Sequence, residues 1–155
     1  MAFWKNYIKA TPLRQKSWGF SFSHRQCAWL GLDSKDTLRK LLSTKVFDYC
    51  RFSVYWDEES LENIKWQLNF AAEAGVKALV TVGLKAQRYP EFYPVNRYAQ
   101  VLAQSGGKLS EGLANDLLQY IESTILNLRD FPAIYAWQVE NEPLDPSGAD
   151  NLIIP

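Results

Sequence analysis

Glu140, Asn141 and Glu142 stand together before Pro143, at the close of the apolar run 133–139 (AIYAWQV). A carboxyl group at the rim of an apolar strand end is partly desolvated, and desolvation raises its pKa toward the range a general acid needs. Glu142 is therefore the leading candidate for proton transfer. Asn141 beside it can donate an amide hydrogen bond to a substrate hydroxyl. Pro143 cannot extend a hydrogen-bonded ladder, so it stops the strand there. The same four residues read equally as an ordinary acidic passage from strand to loop. Glu140 lies two residues before Glu142, and a regular strand turns both side chains the same way. Two carboxyl groups that share acid and nucleophile work must flank the bond they cleave, about 5–5.5 Å apart. Acids on one side of one strand do not flank anything, so Glu140 is expected to support Glu142 or to lie in the interior.

Other residues with chemical potential fall near the ends of apolar runs. Arg51 sits within 47–56 (FDYCRFSVYW), where its planar fork could hold a carboxylate or its stem could pack while the head reaches water. Trp18, Trp29, Trp56 and Trp137, with Tyr89 and Tyr93, could stack on sugar faces, although any one of them is more often simple core. His24 follows the first strand candidate and is a cleft candidate by position, against the commoner structural role of a lone histidine. Lys85 and Arg88 read as strand-end cations or as solvated loop charges. With 1 His and 2 Cys lacking ligand spacing, a multi-histidine metal centre or a Ser–His hydrolase has little to build on. Cys27 and Cys50 are expected to be reduced core thiols. No metal or organic cofactor is implied.

The elements that must position these residues alternate in type. Residues 17–23 (SWGFSFS) form a strand candidate, and Asp33 is placed to cap a helix over 34–45 with Leu38, Leu41 and Leu42 on one face. A second strand over 47–56 runs into Asp57, Glu58 and Glu59, which suit the positive end of a helix over 59–74. Leu61, Ile64, Leu68 and Ala72 give that helix its stripe, and Gly75 its stop. The third strand, 76–84 (VKALVTVGL), is apolar nearly throughout, as in parallel sheets covered on both faces. After a long loop from 85 to 107 comes a helix over 110–129, ended by Phe131-Pro132, and then the fourth strand over 133–139. Strands alternating with helices predict right-handed crossovers and an α/β fold with a parallel sheet.

Composition narrows the classes further. The 155 residues carry 17 basic and 17 acidic side chains, a formal balance of zero that argues against nucleic acid, whose binders neutralise phosphates. Hydrophobic residues at 47% and charged residues at 22% fit one globular domain. No run approaches the roughly 18–20 apolar residues of a membrane span. Residues 1–16 lack the apolar centre of a secretory signal, so a cytoplasmic location is the default expectation.

Two parallel-sheet architectures compete. A doubly wound sheet would carry a glycine-rich first turn, but 24–29 (HRQCAW) contains no glycine. A (β/α)₈ barrel carries its chemistry on the loops after its strands, where Arg51, Trp56, Lys85 and the 140–143 cluster fall. A complete barrel needs about 200–250 residues, so the expected architecture is a TIM-type (β/α)₈ barrel of which only the first four βα units are present, a half-barrel.

With Glu140-Asn141-Glu142-Pro143 preceded by Tyr135-Ala136-Trp137-Gln138-Val139, the sequence resembles the clan A glycoside hydrolases, and most closely the cellulase-like family 5. Arg51 near the end of strand two and Trp18-Gly19-Phe20 opening strand one extend the likeness, which covers 17–146. The resemblance implies that residues 1–155 are the N-terminal portion of a catalytic barrel that hydrolyses β-glycosidic bonds with retention. It further implies Glu142 as acid/base, Asn141 as the ligand of the sugar 2-hydroxyl, and Arg51 as support for a nucleophile. That nucleophile is a glutamate at the end of strand seven, absent from this chain, so the chain alone is expected to be inactive. At Gly83-Leu84-Lys85 the sequence departs from many relatives, which place a histidine there. An oligo- or polysaccharide is the expected partner, contacted by Trp56, Trp137 and His24 as well as Asn141. Two alternatives remain: a carbohydrate-binding half-barrel without chemistry, and a half-barrel whose open edges pair into a homodimer.

Overall fold

The computed structural model describes residues 17–58, 60–87, 93–94, 98 and 110–142. Pro143, Arg88 and Tyr89 lie outside them. Along the chain come β1 (Gly19–Ser21), α1 (His24–Trp29), α2 (Ser34–Ser43), β2 (Tyr49–Ser53), α3 (Glu62–Ala74), β3 (Lys77–Val82), α4 (Glu111–Leu128) and β4 (Ile134–Val139).

Local chemistry sets the element boundaries. Asp33 accepts the Asp36 amide at 2.7 Å and so caps α2, while Ser110 caps α4 by accepting the Leu113 amide at 3.3 Å. At the end of α3, Gly75 adopts φ +70°, and the Val76 and Gly75 amides return to the Ala71 and Ala72 carbonyls at 2.9 and 3.0 Å. That six-to-one closure needs a left-handed residue, which glycine adopts without strain. Two elements depart from expectation. α3 starts at Glu62 and not at 59, so Asp57 and Glu58 precede it and pair with Arg25 and His24 instead of its positive end. Residues 24–29 form a six-residue helix, capped by the Ser23 hydroxyl, where the sequence suggested only a turn. A helix under two turns repeats its apolar face too few times to leave a periodic signal.

The four strands are parallel and lie in the order β1-β2-β3-β4, with no reversal. Phe22, Cys50, Phe52, Val54, Ala78 and Val80 share one core with Leu38 and Leu42 of α2, Ile64 and Leu68 of α3, and Leu128 of α4. Helices therefore cover the same sheet face. Phe52, Leu38 and Leu68 are each fully buried there, and burying a side chain of this size contributes roughly 1.5–3 kcal/mol. On the other face Ser21, Tyr49, Arg51, Leu79, Tyr135 and Ala136 line an open hollow of about 380 Å³.

A β-bulge opposite Ala78 and Leu79 decides what β4 presents to each face. Ala78 pairs with Ile134 but Leu79 pairs with Ala136, so Tyr135 is an inserted residue. Beyond the bulge Trp137 falls opposite Val80 on the helix side, and Gln138 opposite Thr81 on the hollow side. Regular alternation would reverse both.

Candidate functional site

The C-terminal ends of β3 and β4 are joined through one carboxylate. Glu140 Oε2 accepts the Leu84 amide at 2.9 Å, and Oε1 accepts the amides of Lys85 at 2.6 Å and Asn141 at 3.1 Å. The approach leaves no room on the β3 side: a Cβ on Gly83, whose φ is +153°, would lie 2.8 Å from Glu140 Oε2. Glu140 itself sits at φ +66° and Glu142 at +46°. A left-handed backbone at a non-glycine residue costs about 1–3 kcal/mol. Three hydrogen bonds to a charged acceptor, each worth about 1.5–3 kcal/mol, outweigh that at Glu140. Burial pushes the Glu140 carboxyl above its ordinary range, against the opposing pull of the three amides and of Lys85.

These conformations correct the expectation for the two glutamates. β4 ends at Val139, so strand alternation does not carry through 140–142. The desolvated carboxyl is that of Glu140, turned onto the end of β3, whereas Glu142 is exposed. Lys85, 1% exposed, donates from Nζ to the Glu142 carbonyl oxygen at 3.1 Å.

Asn141 is buried, 3% exposed, and its Oδ1 accepts from Gln138 Nε2 at 3.3 Å. The Gln138 Oε1 in turn accepts from Thr81 Oγ1 at 3.3 Å and Arg51 Nη1 at 3.5 Å, while Arg51 Nε donates to Ser21 Oγ at 3.1 Å. A polar row thus crosses all four strands on the hollow side and ends at Asn141. Arg51 reaches Asn141 through the Gln138 amide. Sequence reasoning overlooked Gln138, although a glutamine inside an otherwise apolar strand was a signal that its side chain had polar company. Ser53, the register neighbour of Thr81, extends the row and hydrogen-bonds the Gln87 amide oxygen.

His24, Trp56 and Trp137 are engaged by protein, in contrast to the expectation of sugar contacts. His24 Nε2 lies 2.8 Å from Glu58 Oε1, and Nδ1 lies 3.4 Å from Gln67 Nε2, so both ring nitrogens have partners. Its neighbour Arg25 donates to both Asp57 oxygens, at 2.8 and 2.6 Å, and stacks its guanidinium 4.3 Å above the Tyr55 ring. The cluster ties α1 to the chain after β2 and to α3. Trp56 is 7% exposed and stacks on Tyr98 and Tyr120 at 5.6 and 5.4 Å between ring centres. Trp137 packs on the helix-side core because the bulge turns it there. Among the described residues the exposed tryptophans are Trp18, at 60%, and Trp29, at 69%. Trp29 borders a pocket of about 230 Å³ with Arg25, Gln26 and Tyr93.

Among the described residues no cluster of three or more His, Cys, Asp or Glu could hold a metal ion. No described helix is long and apolar enough to cross a membrane. Cys27 and Cys50 are both buried and unbridged. No protein-family model matches this chain, and no curated protein matches it.

The Glu58 carboxyl has an acid-limb consequence. Burial pushes it up, but the His24 and Asn63 hydrogen bonds and the His24 and Arg25 charges prevail and hold it below its ordinary 4.5. A lowered folded pKa contributes stability above the unfolded value and loses it as pH falls through the folded one. Urea unfolding of wild type and Glu58→Gln from about pH 5.5 to about pH 3 is expected to show a gap in favour of wild type that closes as pH falls below the ordinary 4.5. Parallel curves across that range would contradict the assignment.

Proposed function

We propose that this chain is the N-terminal half of a cellulase-like (β/α)₈ glycoside hydrolase domain that cleaves β-glycosidic bonds with retention, with Glu142 as its acid/base. The observation that carries the reading is the position of Asn141-Glu142: they follow the last strand at the C-terminal edge of a parallel sheet with unreversed strand order and helices on one face. That edge is where barrels of this type carry their chemistry. The exposure of Glu142 leaves its side chain open to a substrate.

In the first step Glu142 gives its proton to the leaving glycosidic oxygen as a second carboxylate attacks the anomeric carbon, breaking the C–O bond and forming a glycosyl ester. In the second, the Glu142 carboxylate takes a proton from water as that water's oxygen displaces the ester. The attacking carboxylate comes from outside these 155 residues. Asn141 has its Oδ1 held by Gln138, which fixes the end of the amide that donates to the sugar 2-hydroxyl. Arg51 and Gln138 hold Asn141 rather than the sugar.

A sugar-directed alkylating agent tests Glu142 without needing the second carboxylate. N-Bromoacetyl β-glucosylamine is expected to esterify Glu142, with loss of bromide. The adduct should map to this residue by mass spectrometry, slow under excess cello-oligosaccharide, and vanish in Glu142→Gln. Absence of an adduct, or one indifferent to that substitution, would contradict the reading.

The open hollow favours a second reading, self-association. Tyr135 is 63% exposed at its edge, and Tyr49, Leu79 and Ala136 line it with apolar surface, a face of the kind that seeks a cover. On this reading a second copy covers the hollow, and light scattering at high concentration gives the mass of a dimer. A monodisperse monomer would exclude it.

A further inference from the structure

We propose that Lys85 is a positioning residue for Glu142, its buried ammonium gripping the backbone of the residue that carries the acid. The role of the acid rests on the glycosidase reading above; the grip does not.

A lysine with 1% of its surface exposed requires an explanation. Burying an ammonium costs several kcal/mol unless charge and hydrogen bonds compensate. Part of the compensation comes from the residues after β4. The Lys85 ammonium donates from Nζ to the Glu142 carbonyl oxygen at 3.1 Å and is attracted by the Glu140 carboxylate, which also accepts the Lys85 backbone amide at 2.6 Å. The two strand ends therefore hold each other from both sides. Glu140 reaches from β4 to the amides after β3, and Lys85 reaches from the end of β3 to a carbonyl after β4.

The place gripped is the place that needs it. Glu142 has φ +46°, a conformation that glutamate adopts only under constraint. Glu140 fixes the turn at its start, through its own carboxylate and the Asn141 amide. Lys85 fixes it two residues later, at the carbonyl bonded to the Cα that carries the Glu142 side chain. Without that bond the acid would keep its tether at Glu140 and lose its aim. Geometry at a reacting group is costly to disturb, since a displacement of about 1 Å can cost on the order of a hundredfold in rate.

Two measurements on the 155-residue chain decide the matter. In proton–nitrogen NMR spectra the Lys85 ammonium is expected as a slowly exchanging signal, coupled across the hydrogen bond to the Glu142 carbonyl carbon. Labelling of Glu142 by N-bromoacetyl β-glucosylamine is then compared among wild type, Lys85→Met and Lys85→Arg. The Met variant keeps the stem and loses the donor. It is expected to label at least about tenfold more slowly, with the amides of Leu38 and Leu68 still protected from exchange. The Arg variant, which keeps charge and donors, is expected to recover most of the rate. A freely exchanging ammonium, or wild-type labelling in Lys85→Met, would overturn the proposal. If wild type does not label at all, the glycosidase reading fails and the ammonium signal alone decides the grip. If Lys85→Met does not fold, the ammonium signal and Lys85→Arg decide.

Discussion

The partly buried carboxylate of Glu140 is the constraint on which the candidate site depends. It gathers the amides of Leu84, Lys85 and Asn141, so the end of β3 and the turn after β4 behave as one unit. Left alone, those amides would be buried donors without acceptors, each a penalty of a few kcal/mol. Gly83 is part of the same constraint, because a side chain there would collide with the carboxylate. The left-handed conformation of Glu140 accompanies this arrangement, and Glu142, also left-handed, is exposed beyond it.

A second layer of order runs sideways across the sheet. Ser21, Arg51, Thr81 and Gln138 form a polar row on the hollow side, and Asn141 is its end. The row lets an arginine near the middle of β2 influence an asparagine after β4 without touching it. Above it, the His24, Arg25, Asp57 and Glu58 cluster closes the ends of β1 and β2. The mouth of the sheet is thus braced at both sides, a rigidity suited to a site that must hold a substrate in place.

Much of this was legible in the residues, and the reasons for the rest are physical. The alternation of periods gave four strands and three long helices, since Leu38, Leu68 and Leu117 recur on faces that must be buried. The cluster at 140–142 stood out because acids at the end of an apolar strand are costly without a purpose or a partner. Hidden from the sequence was the bulge at Tyr135, which exchanges the faces of Trp137 and Gln138. Such a bulge arises from pairing with β3, and no local pattern announces it. The expected common direction of the two glutamates, and the desolvation expected at Glu142, failed for a related reason: strand alternation was extended past Val139, where Glu140 and Glu142 turn left-handed. The fates of Trp56 and His24 were set by Tyr98, Tyr120, Glu58 and Gln67, which are distant in sequence.

The most direct measurement is amide hydrogen exchange in wild type and Glu140→Ala. If the carboxylate is what joins the two strand ends, exchange at Leu84, Lys85 and Asn141 accelerates together in the variant, while amides of the helix-side core such as Phe52 and Val80 keep their protection. Unchanged protection at those three amides would contradict the account, because the turn that presents Glu142 would then be held by something other than Glu140.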